Sequence, residues 1–438
     1  MRIWIVVMKQ TVAFLFLLSL FLPGCSISKL GSEIDHTDKT YGYLKVAPVD
    51  ATTTNGRVRL VVFQQIEAGP KLINYNTPKA NADSFFLVPI ADYSIGAFED
   101  LNHDFIYQSG EPAAFSNSPP LYTGAAKGKE ALKYDSIESL ALQLSPGNKL
   151  PWAVDLSEHS PQKQISQVRE NFLKVTSWSN PAFSENTVRK GLWQPLSFHE
   201  QTGYGLYLLE ELDSKKQPLL LVHGINGSPL NFKALTSGLG ENFQLLLFQY
   251  PSGFPLEHTA YILHKAVNEF LERHAYKKLH VLAHSMGGLV SRGMLTLNDS
   301  ETNARIDTYI TLSTPWSGHA AARMGVEWSP AIAPVWRSMA PNSEYLQRIF
   351  SIPLAATIKH YLFFSYAHER DGASKGDDGV VSVQSQLNYQ AQEQSQAIYG
   401  IDDNHTGILS NPCVIATVQL LLESGNEGQG DRTLASCP

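Results

Sequence analysis

The sequence predicts a chain of the α/β class, with a mostly parallel sheet flanked by helices, preceded by a small all-β sandwich domain. Two observations lead to this prediction. From residue 198 onward, apolar strand-like runs alternate with amphipathic helical stretches, as in a parallel sheet covered by helices on both faces. Between residues 41 and 145, short alternating segments are separated by turn residues, as in antiparallel sandwiches. A chain of 438 residues is also long enough for two domains.

The composition indicates which partners suit the chain. Its 34 basic and 41 acidic residues give a formal net charge of −7, and no basic run occurs. Nucleic acids bind through clustered Lys and Arg, so a nucleic-acid partner is not expected. Hydrophobic residues make up 43% of the chain, which is enough for a large buried core.

Residues 1–25 have the pattern of a lipoprotein signal peptide. A lysine precedes the apolar run 12–22, which is too short for a transmembrane helix. The tetrapeptide Leu-Pro-Gly-Cys at 22–25 resembles the bacterial lipobox, although proline is unusual in its second position. The resemblance implies that Cys25 carries palmitate or similar acyl chains that anchor the protein to a bacterial membrane. Ser26 implies outer-membrane sorting in the cell envelope; the alternative is an ordinary secretory signal with a chance cysteine.

The polar residues 26–40 are predicted to form a flexible tether, and residues 41–145 to form the β-sandwich domain. Alternating apolar and polar residues bounded by turn formers predict its strands. These strands are Arg57–Phe63, Ser84–Pro89, Tyr93–Phe98 and, as the last one, Ser136–Leu144.

An Asp-rich stretch in the sandwich domain offers oxygen ligands in the order of a calcium loop. Counted from the first aspartate, oxygen-bearing side chains fall at positions 1, 3, 5, 9 and 12. Phe105 stands where such a loop has glycine. The stretch also resembles hairpins of bacterial prealbumin-like β-domains, in which acidic residues cap a turn. A structural calcium and a structural turn both remain open; the candidate ligands are Asp100, Asn102, Asp104 and Glu111.

Residues 146–197 are predicted to connect the domains, and residues 198–438 to form the α/β domain. Apolar residues from Pro161 to Val175 have helical spacing, which predicts a helix packed on the second domain. The elements predicted after it are strands at Gly205–Leu212, Pro218–His223, Phe243–Tyr250, Ile306–Leu312, Tyr361–Ala367 and Gln396–Ile401, and helices at Asn231–Leu239, Thr259–His274 and Cys413–Leu422.

The stretch 278–292 points most directly to chemistry. An apolar run ends in Ser285, small residues flank this serine, and a helical pattern begins at once. This is the strand, sharp turn and helix of a nucleophile elbow, with Ala283 where the pattern usually has glycine. Gly287 and Gly288 allow the helix to approach the strand. The helix N-terminus behind Ser285 would stabilise negative charge.

Four ordered motifs carry a resemblance to a known superfamily. The run Ala-His-Ser-Met-Gly-Gly at 283–288 is shared with some bacterial lipases, and His-Gly-Ile at 223–225 resembles the HG-x motif of lipases and esterases. Thr-Leu-Ser-Thr-Pro-Trp-Ser-Gly at 311–318 recurs in lipase-like and PGAP1-like proteins. Asp-Gly-Val-Val at 378–381 resembles the segment with the triad acid in many bacterial lipases. Residues 198–438 therefore resemble an α/β-hydrolase of the lipase branch.

The resemblance implies a catalytic triad in the chain order serine, acid, histidine. Ser285 is the predicted nucleophile and Asp378 the predicted acid, with Asp377 as the alternative. His405 is the predicted base, because it is the single histidine beyond Asp378 and follows the last predicted strand. Three other histidines come too early for that order: His319, His360 and His368.

The same resemblance implies an oxyanion hole. The backbone N–H groups of Ile225 and Met286 are its predicted donors. Gly224 and Gly227 would let the loop fold over the site, and His223 is expected to be a hydrogen-bonded structural residue rather than a base.

A long insertion, residues 319–358, separates two predicted core strands. Lipase-like enzymes carry a cap at this place, and its apolar side chains either line an acyl pocket or simply pack the cap on the core.

Together these features imply a serine carboxylic-ester hydrolase that acts on lipid or other acyl esters without a cofactor. The same triad would also serve a thioesterase, an amidase or a peptidase. A different alternative is a surface binding protein whose hydrolase half is inert.

Three cysteines occur in the chain. With Cys25 lipidated, Cys413 and Cys437 remain in an oxidising compartment, where a disulfide between them is predicted to hold the C-terminal tail. Two free thiols are the alternative.

Overall fold

The computed structural model describes residues 24–54, 56–78, 83–123, 138–157, 170–298, 300–367 and 376–424. Most of the predicted signal peptide, the predicted disulfide partner Cys437 and the histidine at position 368 lie outside these residues. Both predicted folds are present: an all-β region with antiparallel sheets, followed by a large, mostly parallel sheet flanked by helices.

The all-β region is a sandwich of two antiparallel sheets, in the strand orders β4-β1-β7 and β3-β2-β5-β6. Apolar side chains of β1, β2, β4 and β5 meet between them and form one core. A second cluster, with Leu150, Val154 and Leu156, covers the outer face of the larger sheet. The strands are β1 (Tyr41–Val46), β2 (Arg57–Ile66), β3 (Gly69–Asn76), β4 (Ser84–Pro89), β5 (Tyr93–Asp100), β6 (Ala113–Asn117) and β7 (Tyr122–Thr123).

The α/β domain is built on an eight-stranded sheet in the order β15-β14-β13-β12-β10-β11-β9-β8. The strands from β10 to β15 run parallel, whereas β9 pairs antiparallel with β11. The strands are β8 (Glu170–Val175), β9 (Tyr204–Leu208), β10 (Gln217–Val222), β11 (Phe243–Gln249), β12 (Leu279–His284), β13 (Ile306–Leu312), β14 (Lys359–Tyr366) and β15 (Ala397–Asp402).

Helices cover both faces of this sheet, and two apolar clusters lie on its two sides. The helices are α1 (Gly24–Thr40), α2 (Glu185–Trp193), α3 (Pro195–Gln201), α4 (Lys233–Ser237), α5 (Leu256–Arg273), α6 (Met286–Leu297), α7 (Ser300–Ala304), α8 (Ala320–Trp328), α9 (Pro334–Met339), α10 (Glu344–Ser351), α11 (Val383–Gln386), α12 (Tyr389–Glu393) and α13 (Pro412–Ser424). None of the helices in the described ranges is both long and apolar enough to cross a bilayer.

Two predicted elements near the boundary between the domains are wrong in their described parts. The end of the predicted helix 161–175 is strand β8, which pairs with β9 at the sheet edge, so the α/β domain includes residues upstream of 198. In the described part of this spacing, Phe172 is half-buried and Val175 is exposed, because an edge strand buries few side chains and apolar residues there need not alternate. The predicted strand 136–144 makes only an isolated bridge, between Leu140 and Val46, in its described part.

The predicted tether 26–40 is instead part of helix α1. Leu30 is fully buried in the core of the α/β domain, and an added Cβ on Gly31 would lie 4.0 Å from Ala331 Cβ in the cap. Glu33 Oε2 accepts a hydrogen bond of 2.8 Å from the hydroxyl of Ser197. The polar composition suggested a free segment, but a single buried leucine and a paired glutamate hold the helix on the domain.

The predicted calcium ligands cap a turn. The carboxylate of Asp100 accepts hydrogen bonds from Arg59 and from the backbone N–H of Phe105, 3.0 and 3.2 Å long. Both oxygens of Glu111 accept backbone N–H groups at 2.9 Å, and Asp104 Oδ1 accepts that of Ile106 at 2.8 Å. No group of three or more His, Cys, Asp or Glu in the described part of the chain could hold a metal ion. These contacts favour the turn alternative.

The same loop joins the two domains. Phe105 has a positive φ of 66°, and its ring lies 4.0 Å from the Arg59 guanidinium and 4.2 Å from that of Arg273 on helix α5. Arg59 also pairs with Glu272 on the same helix, at 2.5 Å. Phe105 stands where a calcium loop has glycine because this side chain fills the boundary between the domains.

Residues 319–358 form three short helices, α8 to α10, in the place predicted for the cap. The apolar side chains Met339, Tyr345, Leu346 and Ile349 are buried in the core of the α/β domain, so most of the cap packs on the domain beneath it. Helix α13 closes the domain. Its Cys413 is disulfide-bonded; because the predicted partner lies outside the described residues, the pairing with Cys437 stays a prediction.

Candidate active site

The sharp turn between β12 and α6 carries Ser285 at its apex. Ser285 has φ 54° and ψ −129°, a conformation that non-glycine residues rarely adopt. Its N–H donates to the carbonyl of Leu312 at 2.8 Å, which fixes the turn to the neighbouring strand β13. The turn places the hydroxyl at the carboxyl ends of the parallel strands, where ligands bind in such sheets.

Glycines make the turn sterically possible. A Cβ added to Gly287 would lie 2.1 Å from the carbonyl oxygen of Val222, and one added to Gly288 would lie 2.0 Å from Thr314 Oγ1. Helix α6 therefore lies directly against β10 and the loop after β13, at a distance that leaves no room for a side chain.

Ser285, His405 and Asp378 lie together. The distance from Ser285 Oγ to His405 Nε2 is 2.9 Å, and that from His405 Nδ1 to Asp378 Oδ2 is 2.7 Å. A carboxylate only accepts hydrogen bonds, so Nδ1 carries the proton and Nε2 has the lone pair that faces the serine hydroxyl. All three side chains are buried. The alternative acid, Asp377, instead accepts the N–H of Gly379 at 3.0 Å.

Asp378 is held in its charged form. Burial opposes its ionisation, but hydrogen bonds from His405, Ser365 and the backbone of Val381 outweigh burial and lower the pKa of this carboxyl below its ordinary value. The distance from Asp378 Oδ1 to Val381 N is 2.7 Å, and that from Asp378 Oδ2 to Ser365 Oγ is 2.6 Å. The site therefore contains a fixed negative charge behind the imidazole.

Two hydrogen bonds also fix the backbone of His405. Its N–H donates to the carbonyl of Asp378 at 3.0 Å, and its carbonyl accepts from Nε2 of His284 at 2.8 Å. Burial, followed by the proximity of His405, lowers the pKa of His284 to about 3. His284 is therefore a neutral donor that holds the His405 loop, a role that the sequence analysis did not identify.

The loop after β10 lies over Ser285. A Cβ on Gly224 would lie 2.8 Å from Ser285 Cβ and 3.3 Å from Ser285 Oγ. The predicted oxyanion donors flank this point: Ile225 follows Gly224 in the loop, and Met286 is the first residue of α6, where an N–H has no partner inside the helix.

Three other histidines have structural contacts. His223 stacks on Tyr250 with ring centroids 4.1 Å apart, and its Nδ1 donates to the carbonyl of Gly224 at 2.9 Å. Burial lowers the pKa of His223 to about 4, as suits the structural residue that was predicted. His319 Nε2 lies 2.7 Å from the carbonyl oxygen of Val380, and His360 Nε2 lies 3.0 Å from Thr311 Oγ1 inside the sheet.

Gln386 was also missed by the sequence analysis. It is fully buried at the end of α11, and its Nε2 lies 3.1 Å from Asp378 Oδ2. The only signal in the sequence is its position eight residues after Asp378, which by itself indicates no contact.

The eight-stranded sheet, its helices and the elbow define the class: the chain has the fold of an α/β-hydrolase. Residues 248–387 match the family described as the PGAP1-like alpha/beta domain. This segment includes the elbow, the cap and the loop with Asp378.

Known proteins with similarity to the chain include hydrolases. The lysosomal thioesterase PPT2-B of Xenopus laevis is 25% identical over 118 residues, which are 25% of this chain and 40% of the relative. The match thus spans less than half of that relative's length.

Among solved structures, the mature lipase BlEst2 of Bacillus licheniformis has a TM-score of 0.40 and 15% identity, over 49% of this chain and 97% of that chain. Aspergillus fumigatus lipase B has a TM-score of 0.37 and 16% identity, over 58% of this chain and 62% of that chain.

Proposed function

We propose that the protein is a serine carboxylic-ester hydrolase with Ser285 as nucleophile, His405 as general base and acid, and Asp378 as the orienting carboxylate. The observation that carries the proposal is the 2.9 Å contact between Ser285 Oγ and His405 Nε2, with Asp378 2.7 Å from the other ring nitrogen. A serine hydroxyl is a weak nucleophile at neutral pH, so a positioned base with its own partner is the arrangement that activates it.

The first half of the reaction acylates the enzyme. Ser285 Oγ attacks the ester carbonyl carbon while its proton passes to His405 Nε2, and the carbonyl π electrons move to oxygen. Asp378 stabilises the imidazolium that forms. When the carbonyl re-forms, the C–O bond to the alcohol breaks and His405 returns the proton to the departing oxygen. An acyl group remains on Ser285.

Water completes the cycle. His405 Nε2 takes a proton from water as its oxygen attacks the acyl carbon. Collapse of the second tetrahedral species breaks the bond to Ser285 Oγ, which regains the proton, and a carboxylic acid leaves. In both halves the N–H groups of Ile225 and Met286 donate to the oxyanion; loss of one such donor typically costs about 10²–10³ in kcat.

The proposed substrates are lipid or other acyl esters. A thioester is the second candidate, because a relative that is 25% identical over 118 residues is a lysosomal thioesterase. Both bonds present a carbonyl to the same nucleophile and differ in the leaving group. A matched series of ester, thioester and amide substrates with one acyl chain separates these classes by kcat/KM.

Covalent labelling tests the nucleophile. A fluorophosphonate probe should label the wild-type protein and not Ser285→Ala, because the probe reacts with an activated serine. Ser94→Ala is a matched control, since this buried serine lies in β5 of the sandwich domain and should leave labelling in place. Equal labelling of wild type and Ser285→Ala, or none of either, would remove the proposal and favour a binding protein.

We also propose that Cys25 is acylated and anchors the protein to the outer membrane of a bacterial cell envelope. The lipobox-like tetrapeptide and the apolar run before it support this proposal. Wild-type protein expressed in a Gram-negative host should incorporate labelled palmitate and partition into detergent, and Cys25→Ala should do neither. Incorporation that persists in Cys25→Ala would contradict the anchor.

A further inference from the structure

The carboxylate of Asp378 lies in a buried cradle formed by Gln386 and Ser365. We propose that Gln386, together with Ser365, is a positioning residue that fixes Asp378 and sets the basicity of His405. This inference rests on the proposed hydrolase function. Neither residue touches Ser285 or would touch a substrate; both act through the carboxylate.

The amide of Gln386 joins three parts of the domain. Its Oε1 accepts the N–H of Ser365 at 2.9 Å, which anchors it to strand β14. Its Nε2 lies 3.0 Å from the carbonyl oxygen of Ser365, 3.1 Å from that of Val381 and 3.1 Å from Asp378 Oδ2. One fully buried side chain thus links the strand, the turn after the acid and the acid itself.

These neighbours determine the orientation of the amide. All three groups around Nε2 are oxygen acceptors, and the group at Oε1 is an N–H donor, so a flipped amide would lose each of these bonds. A glutamate at position 386 would turn an oxygen toward Asp378 Oδ2. The site therefore selects glutamine over an acid of the same shape.

Ser365 supplies the second contact. Its hydroxyl lies 2.6 Å from Asp378 Oδ2 and 2.6 Å from Ser313 Oγ. Since the carboxylate only accepts, Ser365 donates to Asp378 and accepts from Ser313. All of these side chains are buried, so water does not replace a donor that is removed.

Three donors therefore share Asp378 Oδ2: His405 Nδ1, Ser365 Oγ and Gln386 Nε2. Ser365 and Gln386 stay neutral when His405 takes up a proton, and they disperse carboxylate charge that would otherwise face the imidazole. If one is removed, the carboxylate stabilises the imidazolium form of His405 more strongly. At the same time the carboxylate gains freedom to turn, and the imidazole loses a fixed orientation.

The test uses Gln386→Met, which keeps length and volume without a donor, and Ser365→Ala. We expect kcat on a chromogenic ester to fall about 10- to 100-fold, as for small misplacements of catalytic groups, with little change in KM. The acidic limb of the pH profile of kcat/KM should move to higher pH, because the imidazolium form of His405 becomes more stable. Gln386→Glu should lose more activity at neutral pH than Gln386→Met, because two carboxylates would face each other.

Gln244→Met is the matched control. Gln244, in β11 of the same domain, is also a fully buried glutamine, but its Oε1 accepts the N–H of Asp213 at 2.9 Å, away from Asp378. This variant should have a lower melting temperature, but the acidic limb of its kcat/KM pH profile should not shift.

Two results would overturn the inference. One is a wild-type profile retained by both Gln386→Met and Ser365→Ala, even with lower melting temperatures; the residues would then only support the fold. The other is a loss of kcat in which the acidic limb stays in place. If Gln386→Met does not fold, Ser365→Ala decides alone. A wild-type protein without labelling or hydrolysis would instead refute the proposed function.

Discussion

The backbone at Ser285 is strained, and its neighbours maintain the strain. A non-glycine residue with a φ of 54° and a ψ of −129° costs about 1–3 kcal/mol, which the surrounding structure must offset. The contact between α6 and β10 at Gly287 is the main constraint, since no side chain fits there. The geometry of the nucleophile therefore depends on a residue that takes no part in the chemistry.

Gly287→Ala should damage both stability and labelling. Its Cβ would meet the carbonyl oxygens of Val222 and His223 at 2.1 and 2.6 Å, so backbone must shift. We expect a loss of about 1–3 kcal/mol in the free energy of unfolding, as for overpacked cores, and slower labelling of Ser285. Urea unfolding and the labelling rate measure the two effects.

Gly147→Ala is its control. A Cβ on Gly147 would meet no atom within 4 Å, so the same substitution there should be close to neutral. Equal effects at positions 147 and 287 would show that close packing against β10 is not the cause.

The sequence predicted much of the site at this scale. The three residues of the predicted triad were assigned from motifs next to strand ends, and the structure brings them within hydrogen-bonding distance. Gln386 and His284 were not identified, because His284 contacts a residue 121 positions away and Gln386 contacts one eight positions away, across the loop before α11. No local pattern distinguishes such a polar residue from an ordinary surface one.

At the scale of the elements, helix α1 changes how the N-terminus is understood. The segment after the proposed anchor is a helix packed on the hydrolase domain rather than a free spacer. Leu30→Ala should lower the free energy of unfolding by about 2–5 kcal/mol, because Leu30 is fully buried. The exposed Ser28→Ala on the same helix should change it little. If both variants unfold like the wild type, the helix is not part of the folding unit.

The Asp-rich loop shows how an element can resemble one site and serve another purpose. Its carboxylates already accept backbone N–H groups, and that of Asp100 pairs with the buried Arg59. Millimolar calcium should therefore leave the melting temperature unchanged, because binding would require these bonds to break. A calcium-dependent rise that Asp104→Ala abolishes would restore the calcium hypothesis.

Phe105 ties this loop to helix α5, which also receives an ion pair from Arg59 of the sandwich domain. In the sequence, Phe105 departs from the calcium-loop pattern, which has glycine at this position. In the structure it is an aromatic ring between two guanidinium groups, one from each domain. The sequence could show the departure but not its cause, because Arg273 is far away in the chain.

At the scale of the whole molecule, several histidines are buried in the neutral form. Burial is the largest cause of each lowered pKa, and the neutral form is the one that the fold accepts. The affected residues, with pKa values of about 3 or 4, are His199, His223, His258, His280, His284 and His360.

Stability should therefore fall as the pH falls below about 6.5, the usual pKa of histidine in an unfolded chain. Below that pH the unfolded chain binds protons that the folded chain does not, so acid favours unfolding. Between the folded-state pKa and 6.5, each such histidine contributes a slope that approaches about 1.4 kcal/mol per pH unit as the pH falls. Urea unfolding at several pH values between 5 and 7 measures the summed contribution of these histidines to the pH dependence of stability.

His199→Phe isolates the contribution of one buried histidine to this pH dependence. The His199 ring stacks on Tyr204 with centroids 4.7 Å apart, and its Nδ1 has no hydrogen-bond partner in the described structure, so phenylalanine suits the site. In this variant, the fall in the free energy of unfolding with decreasing pH should be shallower by up to about 1.4 kcal/mol per pH unit. An unchanged slope would mean that His199 does not titrate on unfolding.

The sequence by itself determined the class of the fold, the succession of strands and helices in the second half, and the residues that meet at the site. It could do so because these features depend on local patterns: apolar periodicity, turn glycines, and polar residues directly after buried strands. Tertiary structure alone decided the helical N-terminal segment, the place of β8 in the sheet, the turn formed by the acidic loop and the cradle around Asp378. Each of these depends on what lies opposite a side chain in space, and contacts between distant parts of a chain leave no periodic trace in its sequence.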